Sequence, residues 1–273
     1  MELYAGPKPD RFDAQADGFD ARVGLPVGAA EAVAGAVIEV VAPGPEDLLV
    51  ELGAGTGEIG QYLAQSVRYL AMDRSSRMLD IFRARFAEAG GRRVELLHAD
   101  ADRRWPLDDG SVAAVFASRA AHLLDADHLA SELLRVCRPG SYFLVGRVIR
   151  DKDGVKSRLR RQRKLLLAQL GLALEDADGS IQRVLDRLVG AGAYRLEART
   201  VTKWTATASV HQILDEWKAI GATGGQRMDE AARAVVMDKL ANWADRELGD
   251  PHSVRTWTEQ YVLKGVRTST NRC

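Results

Sequence analysis

Leu48-Leu-Val-Glu51-Leu-Gly53-Ala-Gly55-Thr-Gly57-Glu-Ile-Gly60 is the stretch on which the fold turns. Leu48, Leu49, Val50 and Leu52 read as a short buried strand, with Glu51 at its carboxyl end. Gly53, Gly55 and Gly57 follow in one tight turn, and a helix is expected from Glu58 to Gln65. Glycine in such a turn permits positive φ and lets a ligand approach the backbone with no Cβ in the way. A glycine turn between a parallel strand and a helix is where open α/β sheets bind nucleotide-like ligands. Strand-to-helix geometry alone would account for one glycine. Three in alternation behind a carboxylate point to a ligand.

Which ligand is a separate question. Gly55-Thr-Gly57-Glu-Ile-Gly60 also satisfies the dinucleotide pattern G-x-G-x-x-G, and Asp73 lies near the distance at which a ribose hydroxyl is bound. Against that reading, the turn begins earlier, at Gly53, directly behind Glu51, and a carboxylate so close repels a pyrophosphate.

A chain of 273 residues can bury a full core as one large domain or as one domain with an elaboration. Its 38 basic and 38 acidic residues balance, so no global field draws it to nucleic acid or membrane. Cys137 and Cys273 offer neither a metal-ligand spacing nor a disulfide framework, which leads us to expect no metal and a reducing, cytoplasmic setting. The opening Met1 to Asp10 lacks a basic region followed by an apolar one, so it does not read as a signal peptide. The most apolar early run, Gly28 to Val41, contains Glu31 and Glu39 and is too short to span a bilayer. A soluble protein is expected.

Taken in order, residues 1–11 are proline- and charge-rich. Phe12 to Arg22 has helical spacing, and Pro26 can open a helix that runs to about Val41. After the glycine turn, Arg68 to Met72 reads as the second strand and ends at Asp73. Ser75 or Ser76 caps a helix carrying Met78, Leu79, Phe82 and Phe86, closed by Gly90-Gly91. Val94 to His98 is the third strand, ending at Asp100. Val112 to Ala117 is the fourth, an unbroken apolar run typical of a parallel strand covered on both faces. A helix from about Asp127 to Cys137, the Pro139-Gly140 turn and a fifth strand, Tyr142 to Val148, follow. A helix near Ile181 to Ala191 and a strand near Arg195 to Thr205 make a sixth unit. Val210 to Ile220 and Met228 to Leu248 are amphipathic helices, and Val254 to Val266 alternates like a returning seventh strand. The alternation of strand and helix gives an α/β fold, a doubly wound and mostly parallel sheet of seven strands with a helical insertion. The expected parts are 1–45 as N-terminal helices, 46–205 as a cofactor-binding Rossmann-like core, 206–250 as the insertion, and 251–273 as edge strand and tail.

The basic run at 152–164 (Lys152, Lys156, Arg158, Arg160, Arg161, Arg163 and Lys164) could contact phosphate. More often such a run is the solvated side of a helix, here one that turns Val155, Leu159, Leu166 and Leu170 inward.

The ordered motifs form one pattern. Glu51-Leu-Gly53-Ala-Gly55-Thr-Gly57 ends strand one, and Met72-Asp73-Arg-Ser-Ser-Arg-Met78-Leu79 ends strand two. His98-Ala-Asp100-Ala-Asp follows strand three, and Pro106-Leu-Asp-Asp-Gly-Ser111 precedes strand four. Ala121-His122-Leu123 and Glu132-Leu-Leu-Arg135-Val-Cys-Arg-Pro139-Gly140 complete the set. Over residues 48–146 this resembles the class I S-adenosylmethionine-dependent methyltransferases, in particular the small-molecule group that includes quinone-biosynthesis enzymes. The resemblance decides against NAD.

The resemblance implies roles by position. Gly53, Ala54, Gly55 and Gly57 would wrap the methionine part of S-adenosylmethionine, with Glu51 near its ammonium end. Asp73 would accept both ribose hydroxyls, and Asp100 the adenine amino group, with Ala101 beside the ring. Arg74 and Met78 would flank the pocket. Ser118 and His122 would lie beyond strand four, where methyl group and acceptor meet. His122 is the candidate base, although a histidine beside an apolar strand end is more often structural. Three residues depart from the group's pattern: Ala113 where an aspartate is common, Ser141 for a second glycine, and Trp105 for a smaller apolar residue. The implied activity is methyl transfer to an O, N or C atom of a small-molecule acceptor. An RNA methyltransferase, supported by the basic run alone, and a non-catalytic cofactor-binding protein are the alternatives. The insertion at 206–250 is placed to roof the acceptor pocket, with Phe12 to Arg22 as a second flap; otherwise it covers the sheet edge or forms a homodimer contact.

Overall fold

The computed structural model describes residues 12–90, 94–172, 177–219 and 230–270. The expectations placed on the first eleven residues, Gly91, Ile220, Met228 and Cys273 fall outside them. In chain order the elements are a 3₁₀ turn at Asp13–Gln15, α1 (Phe19–Val23), α2 (Ala29–Val41), β1 (Leu48–Leu52), α3 (Gly60–Ser66), β2 (Arg68–Asp73), α4 (Ser76–Glu88), β3 (Glu95–His98) and β4 (Val112–Ser118). A second 3₁₀ turn at Ala121–Leu123 leads to α5 (Ala126–Val136), β5 (Cys137–Arg150), α6 (Val155–Gln169), α7 (Ala177–Gly190), β6 (Tyr194–Arg195), β7 (Arg199–Ser209), α8 (Val210–Ala219), α9 (Glu230–Leu248) and β8 (Val254–Arg267).

The strands form one sheet in the order β3-β2-β1-β4-β5-β8-β6, and β7 pairs with β8 as well. From β3 across to β5 every pair is parallel. β6 is antiparallel to β8. β8 returns against β5, with Thr268 N–H donating to Ser141 O at 2.8 Å and Asp151 N–H to Thr258 O at 3.0 Å. The doubly wound, mostly parallel sheet is therefore as expected, but with eight strands among the described residues rather than seven. The extra one arises because the expected sixth strand is interrupted at 196–198. Leu196 N–H still reaches Gly265 O across the gap, at 3.0 Å.

Local chemistry explains the elements around the cofactor turn. Ser75 caps α4 by accepting Met78 N–H at 3.1 Å. The helix then buries Met78, Leu79, Phe82 and Phe86 along one stripe. All five residues of β1 are buried. Leu48, Val50 and Leu52 join a cluster with Leu129 and Leu133 of α5 and Ile181 and Leu185 of α7. Strand alternation sends Leu49 and Glu51 to the opposite face. The expected single helix over 12–22 is broken: Gly18, at φ +69°, separates the 3₁₀ turn from α1.

The chain divides into two compact units. One holds the described residues of Met1–Arg147, Ala177–Thr202 and Tyr261–Cys273; the other holds those of Val148–Asp176 and Lys203–Gln260. This differs from the expected division, which placed α6 in the core and bounded the insertion at 206 and 250. The reason is packing: Val155, Leu159, Leu166 and Leu167 of α6 share one apolar cluster with Ile213 and Trp217 of α8 and Met237 and Leu240 of α9. Leu170, expected to point inward, is 41% exposed, and Leu167 takes its place. Much of the basic run is used inside this unit. The Arg163 guanidinium lies 5.2 Å from the Trp217 ring centroid, Lys156 approaches Glu216 at 3.7 Å, and Arg161 donates to Lys152 O at 3.1 Å. Among the described residues, no helix is long and apolar enough to cross a membrane.

Candidate cofactor site

The carboxyl ends of β1, β2 and β3 are stitched together by backbone. Gly53 and Ala54 N–H both donate to Met72 O, at 2.8 and 3.2 Å, and Ala99 N–H donates to Asp73 O at 3.0 Å. Asp73 is the centre of the arrangement. Its Oδ2 accepts Gly55 N–H and its Oδ1 accepts Ser75 N–H, each at 2.8 Å. The carboxylate thus joins the turn after β1 to the turn after β2, and the two bonds fix its orientation.

The glycines divide the work. A Cβ on Gly57, at φ +75°, would lie 2.1 Å from the Phe82 ring. That residue is glycine because α4 packs against the turn. A Cβ on Gly55, at φ +56°, would meet nothing within 4 Å. The open side of the turn is therefore at Gly55, beside the Asp73 carboxylate, where a ligand can approach the bare backbone and the carboxylate together.

The other expected residues fall into two sets. Ala101 and Asp100 lie on the loop after β3, where Asp100 Oδ1 accepts Asp102 N–H at 3.1 Å. That loop is held from behind by Trp105, which donates its ring N–H to Ala101 O at 3.0 Å and its backbone N–H to Glu132 Oε2 at 2.7 Å. Arg135 adds bonds to Leu107 O and Trp105 O. The Glu132-Leu-Leu-Arg135 motif therefore braces the adenine-side loop expected from sequence. Ala54 and Met78 are buried, and Arg74 is exposed on its own turn, where its carbonyl meets His98 Nε2 at 3.0 Å.

Glu51, expected near the ammonium end of the cofactor, is bonded within the protein. It is 2% exposed and accepts a hydrogen bond from the Tyr69 hydroxyl, on the α3 side of β1. Burial pushes its pKa from 4.5 up to about 8 despite the Tyr69 bond. With the folded value above the unfolded one, the native state holds the extra proton between these values. Stability should therefore fall as pH rises from about 5 through 8, by up to roughly 1.4 kcal/mol per pH unit. Chemical denaturation of Glu51→Gln across that range should show the fall removed; an unchanged slope would place the titration elsewhere.

His122 sits half-buried on the 3₁₀ turn beyond β4. Burial and then the Arg147 charge hold its pKa below the usual histidine range, so it is a neutral imidazole at pH 7. Ser118, at the end of β4, has its hydroxyl 2.7 Å from the Tyr261 hydroxyl.

Sequence reasoning missed the fastening of residues 12–25. Ser75 donates to Asp13 at 2.6 Å, Thr56 to Asp20 at 2.6 Å, and Arg77 to Asp17 at 2.9 Å. Glu58 accepts from Leu25 N–H and, at 2.9 Å, from Arg119, which also donates to Val23 O. No motif announces these pairs, because each joins residues 33 to 96 positions apart. Among the described residues no group of three or more His, Cys, Asp or Glu side chains could hold a metal ion.

Residues 49–140 match the family profile described as a methyltransferase domain. The matched region is thus similar to a methyltransferase domain. A demethylmenaquinone methyltransferase of Clavibacter sepedonicus is 38% identical over 112 residues, which are 40% of this chain and 44% of that protein. A Mycolicibacterium smegmatis protein, named a probable S-adenosylmethionine-dependent methyltransferase, is 28% identical over 214 residues, or 76% of this chain and 71% of its own. The chain spans about two fifths of the length of the first curated relatives it matches. Among solved structures, geranyl diphosphate methyltransferase in complex with SAM has a TM-score of 0.50 at 16% identity, covering 96% of this chain and 92% of its own. The 4+2 cyclase SpnF has a TM-score of 0.59 at 19% identity, covering 98% and 100%. At such identities the structures establish the fold alone.

Proposed function

We propose that the protein transfers a methyl group from S-adenosylmethionine to a small-molecule acceptor. The observation that carries this is the open side of the turn at Gly55 beside an oriented Asp73 carboxylate. Gly53, Ala54, Gly55 and Gly57 would hold the methionine part, Asp73 the ribose and Asp100 the adenine amino group, with Ala101 beside the ring. The cofactor, when bound, supplies a sulfonium methyl that is already activated for in-line displacement. The chain's part is then mainly alignment, a term worth roughly 7–11 kcal/mol in favourable cases. Neutral His122 can accept a proton from the acceptor atom, a step that contributes about 10²–10⁴ in rate where it is needed.

A fold does not decide the reaction, and the likeness to a cyclase keeps the non-catalytic or non-transferring alternative in the test. Protein incubated with methyl-labelled cofactor and a small-molecule cell extract should give a labelled small molecule, seen by mass spectrometry after denaturation. Label in bulk RNA, lost on charge reversal at Arg160, Arg161 and Arg163, would support the RNA alternative instead. The helical unit serves in this reading to select the acceptor. Leu240 is fully buried in it, so Leu240→Asp should abolish labelling while cofactor affinity stays within about threefold. Undiminished labelling would remove that unit from the function.

A further inference from the structure

Ser118 and Gly146 are cross-strand partners on β4 and β5. Tyr261 comes from β8, on the far side of β5 in the sheet. To reach Ser118 its ring must pass over Gly146, and the space is made by the missing side chain: a Cβ on Gly146 would lie 1.7 Å from the Tyr261 oxygen. Tyr261 is 0% exposed, and its hydroxyl stands 2.7 Å from Ser118 Oγ. Among the described residues this is the one hydrogen bond that either hydroxyl makes.

The direction of that bond follows from burial. A phenol is the stronger donor, and a buried donor left without an acceptor costs about 1–3 kcal/mol. If Ser118 donated, the Tyr261 proton would be stranded in the sheet. Tyr261 therefore donates, Ser118 Oγ accepts, and the serine's own proton turns away from Tyr261. Ser118 is the last residue of β4, four positions before His122. Its hydroxyl, with one rotor fixed from behind, is a pre-set donor at the carboxyl end of the strand.

We propose that Tyr261 is a positioning residue that orients the Ser118 hydroxyl as a hydrogen-bond donor to the acceptor molecule, which therefore carries an oxygen or nitrogen lone pair beside the methylated atom. This rests on the proposed transferase reading. The backbone supports the same placement. Arg119 N–H bonds Gly146 O at 2.9 Å, and Arg119 holds φ +56°, which turns the chain sharply after Ser118.

The test compares wild type, Tyr261→Phe, Ser118→Ala and the double variant. Phenylalanine keeps the ring over Gly146 and removes the donor. Label transfer from methyl-labelled S-adenosylmethionine into a small-molecule cell extract gives the rate, and calorimetry with S-adenosylhomocysteine gives cofactor affinity. Each single variant should lose roughly three- to tenfold in rate, with cofactor affinity within about twofold. The double variant should be no slower than Ser118→Ala alone, because both changes remove one relay, and Ser118→Thr should recover much of the rate. A Tyr261→Phe rate equal to wild type, additive losses, or a loss confined to cofactor affinity would overturn the proposal. If wild type itself transfers no label, the transferase reading falls and this inference falls with it, an outcome distinct from the others.

Discussion

Asp73→Ala is expected to weaken S-adenosylhomocysteine binding by at least about tenfold, and by more than a hundredfold if both ribose bonds are lost in full. A hydrogen bond to a charged group contributes about 1.5–3 kcal/mol, and vicinal hydroxyls would place two on this carboxylate. The structure enlarges the effect, because the same carboxylate orders the turn through Gly55 N–H and Ser75 N–H. Asp73→Asn separates the contributions. An amide oxygen can still accept from one of those N–H groups, but the amide nitrogen meets the other as donor against donor. Its affinity should lie between wild type and alanine. Calorimetry on folded variants is the measurement, and an alanine variant with unchanged affinity would remove Asp73 from the ligand.

Alanine at Gly57 and at Gly55 should fail in different ways. At Gly57 the new methyl would stand 2.1 Å from the Phe82 ring at φ +75°. Overpacking costs roughly 1–3 kcal/mol and the left-handed backbone about 1–2 more. The thermal midpoint should drop by roughly 5–15 °C. At Gly55 nothing lies within 4 Å, so only the backbone term applies and the protein should fold. Its methyl instead fills the side from which a ligand reaches the turn, and cofactor affinity should fall at least about tenfold. Thermal unfolding and calorimetry on both variants read the contrast. A Gly55→Ala protein that binds normally would show that the open side of the turn is not where the cofactor lies.

The sheet was legible because its strands are short apolar runs closed by residues that cannot continue them, as at Gly53, Asp73 and Asp100. A serine cap at Ser75 or Ser76 was legible because a serine before an amphipathic stripe has few other uses, and the Met78 N–H bond gives it to Ser75. The surroundings of Glu51 were not legible, because sequence shows a carboxylate next to a glycine turn but not the face to which the pleat sends it. Tyr69, its partner, sits 18 residues away in another strand. Tyr261 was invisible for the same reason. Its meaning depends on Gly146 leaving room and on β8 inserting beside β5, which no local pattern encodes. The helical unit was legible as helices but not in its extent, since α6 joins α8 and α9 through contacts between distant segments.

S-adenosylmethionine, and not a dinucleotide, is the ligand proposed for the turn between Gly53 and Gly60. Titration of the wild-type protein with S-adenosylhomocysteine and with NAD tests it most directly. Saturable one-to-one binding of S-adenosylhomocysteine and no heat with NAD is the predicted result. Saturable binding of NAD with none for S-adenosylhomocysteine would contradict it.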